Sequence, residues 1–286
     1  MSRSTDWTTL VSPAELAARL GDPMLVVLDA RFSLSDPAAG EAAWREAHIP
    51  GARYAHLDRD LSGAHTPGAG RHPWPEAADF GRSLAAFGIT REHQVVACDE
   101  SDGAFAARVW CLLRMAGHAR VAVLDGGLAA WRAQGLPLDA EVPAVSPAVP
   151  YPVDFDRARL FDAARVQAHL DDGGLLLDAR GGERYRGEVE PIDARAGHVP
   201  GATSRPFACN LEAGRFKPRE TLAGEFDALL GEGGPSQVVV MCGSGVTACH
   251  HLLAMAHAGL EGAGLYTGSW SGWIEDPRHP VATGAG

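Results

Sequence analysis

Three short strings occur twice in this chain, and in the same order. Leu28-Asp29-Ala30-Arg31 returns as Leu177-Asp178-Ala179-Arg180, and His48-Ile49-Pro50-Gly51-Ala52 returns as His198-Val199-Pro200-Gly201-Ala202. Leu124-Asp125-Gly126-Gly127 ahead of Trp131 returns as Leu265-Tyr266-Thr267-Gly268 ahead of Trp273. A single match could be chance, but three in order and at nearly constant separation indicate a tandem of two similar domains. The length of 286 residues accommodates two buried cores. Pro143, Pro147, Pro150 and Pro152 alternate with small and valine residues and read as an extended connection. The expected division is therefore a first domain over 1–140, a linker over 141–155 and a second domain over 156–286.

Each half alternates strand-like and helix-like segments, the pattern of an open parallel sheet flanked by helices. Ser12-Pro13-Ala14-Glu15 is a capping box with proline at the first helical position. After it the first half predicts strands over 24–28, 94–98 and 121–124, with helices over 76–87, from about 103 to 116, and a short one through Trp131. The second half predicts strands over 175–177, 238–241 and 263–266. Trp131, Trp270 and Trp273 are expected to be packing residues. The fold class expected is α/β.

The formal net charge of −11 repels phosphate backbones, so nucleic acid is not an expected partner, and an anionic ligand would need a local arginine. No apolar run approaches the ~20 residues of a membrane span, and the amino-terminal stretch lacks the apolar core of a secretory signal, so the expected location is cytoplasmic. Five cysteines, Cys98, Cys111, Cys209, Cys242 and Cys249, suit free thiols in a reducing compartment.

Of these, Cys242 stands out. It follows the apolar run Val238-Val239-Val240-Met241 and precedes Gly243-Ser244-Gly245-Val246-Thr247-Ala248 and a helix-like segment. The carboxyl end of a parallel strand facing a helix amino terminus is where open α/β sheets bind ligands, and free N–H groups there stabilise anions. Gly243 and Gly245 allow the backbone to curl its amides around one sulfur, which makes Cys242 an expected nucleophile rather than a passive core residue. Anchored on Gly103 and Gly245, the first half places Glu100 where Cys242 sits. Cys249-His250-His251 with His257 does not make a metal site, because adjacent histidines on a helix diverge and His250 and His257 stand two turns apart.

The paired halves, the two His-(Ile/Val)-Pro-Gly-Ala strings, Asp99-x-x-x-Gly103-x-x-Ala106-x-Arg108-x-Trp110 and the Cys-Gly-Ser-Gly-Val-Thr loop resemble the tandem rhodanese-fold sulfurtransferases over essentially the whole chain. Members that use thiosulfate typically carry two basic residues after the cysteine, whereas Gly243-Ser244 resembles the 3-mercaptopyruvate sulfurtransferases. The resemblance implies that Cys242 takes sulfane sulfur from a small anionic donor, becomes a persulfide, and passes the sulfur to cyanide or a thiol acceptor such as thioredoxin, with no cofactor or metal. Two other readings stay open: a thiosulfate:cyanide sulfurtransferase, and a persulfide-carrying module that serves a protein partner. Phosphatases of this fold place an arginine six residues after the cysteine. Here that place is Ala248, which lacks the bidentate donor phosphate recognition uses.

The resemblance also implies roles for other residues. Arg184, in Arg-Tyr-Arg-Gly, matches the arginine that grips the substrate carboxylate, and Gly243, Gly245, Val246 and Thr247 form the substrate-binding loop. Animal mercaptopyruvate enzymes carry a second arginine after a Glu-Pro pair; here Glu190-Pro191 is followed by Ile192, leaving Arg186 or Arg195 as substitutes. Asp60 and His72 match an acid and a histidine that the first half contributes to an interdomain cleft, where with Ser244 they would form a proton relay.

Overall fold

The structure is a computed structural model describing residues 6–231 and 233–285. It divides into two compact units: one comprises the residues up to Leu61 together with Pro75–Phe155, and the other Ser62–Trp74 together with Asp156 onward.

In the first unit a five-stranded sheet has the order β1-β5-β4-β2-β3, from Leu10–Val11 (β1), Leu25–Asp29 (β2), Arg53–Tyr54 (β3), Gln94–Cys98 (β4) and Val121–Leu124 (β5). Every pairing is parallel. Helices Pro13–Ala17 (α1), Ala39–Glu46 (α2), Leu57–Asp60 (α3), Ala77–Ala86 (α4), Ala106–Met115 (α5) and Gly127–Ala133 (α6) make the crossovers. Such an arrangement follows from strands apolar on both faces, which need helices on each side: all five residues of β4 are buried. The capping box opens α1, with both reciprocal bonds formed. Val27, Val96, Ala122, Leu128 and Trp131 meet in one core cluster.

The proline-rich stretch packs on this unit. Tyr151 and Phe155 are buried, the Tyr151 hydroxyl meets His118 Nδ1 at 2.9 Å, and Phe155 stacks on Phe80. Much of the segment expected as a spacer therefore serves as an edge of the first unit.

The second unit repeats the plan. Leu160–Phe161 (β6), Leu175–Asp178 (β7), Thr203–Ser204 (β8), Val238–Met241 (β11) and Gly264–Tyr266 (β12) form a parallel sheet of order β6-β12-β11-β7-β8, and Leu211–Glu212 (β9) and Arg215–Phe216 (β10) form a small antiparallel ribbon. Its helices are Ala163–Asp171 (α7), Gly182–Arg186 (α8), Arg219–Leu230 (α9), Ala248–Ala258 (α10) and Ser269–Trp273 (α11). Trp270 and Trp273 are fully buried with Tyr266 and Met241, in the packing role expected of them.

The 62–74 segment packs tightly against the start of α11. A Cβ on Gly70 would lie 2.3 Å from the Gly268 carbonyl oxygen, and one on Gly272 would lie 2.4 Å from that of Gly68. Only glycine admits such an approach of two backbones. The Arg71 amide also donates to the Ser271 hydroxyl at 3.0 Å. Among the described residues, no helix is long and apolar enough to cross a membrane, and all five cysteines are free.

Candidate active site

β11 lies second from neither edge but at the centre of its sheet, paired with β7 and β12, and all four of its residues are buried. Cys242 follows directly and is itself buried. Its carbonyl accepts from the Trp270 amide at 3.0 Å, that of Gly243 accepts from the Ser271 amide at 2.9 Å, and the Cys242 amide donates to the Ser269 hydroxyl at 3.1 Å. Ser269 adopts φ 51°, a left-handed conformation rarely taken by residues other than glycine. Its hydroxyl in turn donates to the Tyr266 carbonyl. A single serine thus fixes the backbone of the cysteine, a role that sequence reading missed because nothing in Gly-Ser-Trp announces it.

Gly245 turns the loop at φ 75°, and α10 begins at Ala248 with no side chain capping it. Thr247 sits at the cap position without using its hydroxyl there. The first unit shows what such a loop can hold. After β4, the carboxylate of Asp99 accepts from the amides of Gly103 (3.0 Å), Phe105 (2.9 Å) and Ala106 (3.1 Å). Asp99 also occupies the cysteine position: Cys98 pairs with Asp29 as Met241 pairs with Asp178, and the Asp99 carbonyl accepts from Leu128 as that of Cys242 accepts from Trp270. The counterpart of Cys242 is therefore Asp99, not Glu100. Anchoring on the glycines misplaced it because the Asp99-to-Gly103 loop is one residue longer than the Cys242-to-Gly245 loop. Burial pushes the Asp99 carboxyl up to about 6 against the opposing pull of its amide donors.

Ser244 is buried, and its hydroxyl lies 2.8 Å from Nδ1 of His72, itself buried. Two of the three expected relay members are thus brought together within the second unit, because the 62–74 segment belongs to it. Asp60 ends α3 in the first unit, where its carboxylate accepts from the His56 amide at 2.8 Å and pairs with Arg59.

Arg184 extends from α8 to the same loop. A Cβ placed on Gly243 would lie 3.6 Å from its Nη1. Its Nη2 donates to Glu190 at 2.7 Å and to Asp193 at 3.0 Å, and Nε is shared between both Glu190 oxygens. Burial raises Glu190, but Arg184 and the amides of Asp193 and Ile192 more than offset this and leave its carboxyl below the usual range. Arg186 is paired with Glu188 in an exposed bridge, and Ile192 is exposed. The Arg195 carbonyl accepts from Trp270 Nε1 at 2.9 Å. Val246 is buried, and its carbonyl accepts from Cys249 on the first turn of α10. His250 and His251 lie in a buried network: Asn210 Nδ2 reaches the Nδ1 atoms of both at 2.9 Å, and Phe216 stacks on His250.

A parallel α/β domain built twice, with a cysteine between the central strand and a helix in the second copy, defines a class. The family model described as the rhodanese-like domain matches residues 12–134 and 162–276. A Pseudomonas aeruginosa protein named "Probable 3-mercaptopyruvate sulfurtransferase" is 50% identical over 283 residues, covering 96% of this chain and 98% of its own. A Rattus norvegicus protein named "Thiosulfate sulfurtransferase" is 32% identical over 271 residues, covering 91% and 88%. The crystal structure of SseA from Escherichia coli, described as the rhodanese fold of 3-mercaptopyruvate sulfotransferases, matches 93% of this chain and 100% of its own with a TM-score of 0.78 at 29% identity. The chain belongs to the tandem-domain rhodanese-like sulfurtransferases.

Proposed function

We propose that this chain moves sulfane sulfur from 3-mercaptopyruvate to an acceptor through a persulfide on Cys242. The Cys242 thiolate attacks the donor sulfur. An S–S bond forms, the C–S bond breaks, and its electron pair passes to the methylene carbon as the enolate of pyruvate, which takes up a proton to leave as pyruvate. Arg184 anchors the donor carboxylate, and Ser244 with His72 carries the proton to the enolate, with Asp60 assigned to that relay by sequence resemblance alone. Gly243, Gly245, Val246 and Thr247 shape the loop that receives the transferred sulfur. Cyanide or a thiol such as thioredoxin then attacks the outer sulfur, giving thiocyanate or a new persulfide and restoring the Cys242 thiolate. The observation that carries this reading is the placement around one glycine: a guanidinium flanks Gly243, while the His72–Ser244 pair stands on the next residue. The five free thiols suit a reducing, cytoplasmic setting.

Thiosulfate is the competing donor, since several relatives carry it in their names, one of them 40% identical to this chain. Measuring kcat/KM for both donors with cyanide as acceptor decides between them. Higher efficiency with mercaptopyruvate supports the proposal, and higher efficiency with thiosulfate replaces it.

A further inference from the structure

We infer that Arg71 is the second cation that grips the donor carboxylate, standing in for the arginine whose place Ile192 takes. This deepens the reading above and rests on it. A Cβ placed on Gly243 would lie 3.5 Å from Arg71 Nη2 and 3.6 Å from Arg184 Nη1, so the two guanidiniums face the residue next to Cys242 together. Asp193 holds them there: its Oδ1 accepts from Arg71 Nη1 at 2.6 Å and its Oδ2 from Arg184 Nη2 at 3.0 Å. The Asp193 side chain is only 4% exposed, which makes the bridge a fixed part of the unit rather than a surface pairing.

The bridge leaves donors over. Arg71 Nη2 and Arg184 Nη1 donate to no other group among the described residues, and Arg71 Nε is buried with no hydrogen-bond partner. The two side chains stay partly open, Arg71 at 29% and Arg184 at 21% exposed, so a carboxylate can reach the remaining Nη donors of both and accept charge-assisted bonds from each. Arg71 is held in position by its own amide, which donates to Ser271, and by the approach of Gly70 to Gly268. Ile192, by contrast, is exposed, and Arg186 is spent on Glu188. The ligand class that fits is a small 2-oxo acid whose carboxylate sits a few bond lengths from its sulfur.

The test is steady-state kinetics with mercaptopyruvate on Arg71→Gln and Arg71→Lys, alongside intact mass at saturating donor. Arg71→Gln is expected to raise KM about tenfold or more, the loss of one charge-assisted bond pair, with kcat within about threefold of the parent. Arg71→Lys, which keeps the charge without the fork, is expected to give an intermediate KM. Saturating mercaptopyruvate should still load one sulfur on Arg71→Gln. An unchanged KM in Arg71→Gln overturns the inference, as does a fall in kcat that Arg71→Lys shares in full, which marks a structural residue. If the parent chain itself takes up no sulfur from mercaptopyruvate, the reading of the site fails and the inference fails with it; a parent that loads beside a variant with unchanged KM removes Arg71 alone.

Discussion

The imidazole Nδ1 of His72 and the hydroxyl of Ser244 stand 2.8 Å apart, both residues buried, with Ser244 two residues after Cys242 in the loop. A histidine in that position can move a proton to a leaving enolate, but it has no part in breaking an S–S bond, where the leaving group is already a stable thiolate. His72→Gln and Ser244→Ala should each slow sulfur uptake from mercaptopyruvate by about a hundredfold while leaving discharge of a preformed persulfide to cyanide within about threefold. Rapid-mixing measurement of the two half-reactions checks this. Equal slowing of both would contradict the proton role.

Asp99 in the first unit supplies its loop with an internal anion above a pH of about 6. Asp99→Ala leaves three amide donors without their acceptor, those of Gly103 and Ala106 in buried positions and that of Phe105 partly buried. The expected cost is about 2–4 kcal/mol of stability, read from denaturant unfolding, with kcat for sulfur transfer unchanged under native conditions.

His251 sets a pH dependence. Burial, aided by the Arg205 guanidinium, lowers its pKa from the ordinary 6.5 to about 3. Between those values the unfolded chain binds a proton that the folded chain refuses, so this contribution to stability is full above about 6.5 and is lost as pH falls. His251→Gln can keep a partner for Asn210 and for the Arg205 carbonyl without titrating. The stability advantage of the parent over this variant should therefore shrink by about 1.4 kcal/mol per pH unit from pH 6 to 4. Asp99 acts with the opposite sign: its folded carboxyl, at about 6, takes up a proton before the unfolded one does, which favours the fold as pH falls. Comparison with single variants separates the two.

The fold was legible because its signals are local and repeated. Val238–Met241 and Val121–Leu124 are continuous apolar runs, Gln94–Cys98 is one after its first residue, and the structure gives all three the predicted bounds. The same holds for the cysteine placed between strand and helix. What stayed hidden depends on chain segments distant in sequence. Nothing in Gly70-Arg71-His72 says that the 62–74 segment belongs to the second unit, because that is decided by glycine-to-glycine contacts some two hundred residues apart. From sequence alone, closeness to Ile192 points to Arg186 and Arg195, and nothing in the chain order brings Arg71 beside Gly243. Glu100 was matched to Cys242 for a related reason: a one-residue difference in loop length is invisible without the strand register that fixes Asp99 in that place.

The central claim is that Cys242 carries the sulfur, and intact mass spectrometry after incubation with mercaptopyruvate and removal of excess donor tests it most directly. The account predicts a gain of one sulfur atom, located by peptide mapping on Cys242, released by cyanide as thiocyanate, and absent in Cys242→Ser. A gain that persists in Cys242→Ser, or that maps to the exposed Cys209, would contradict it.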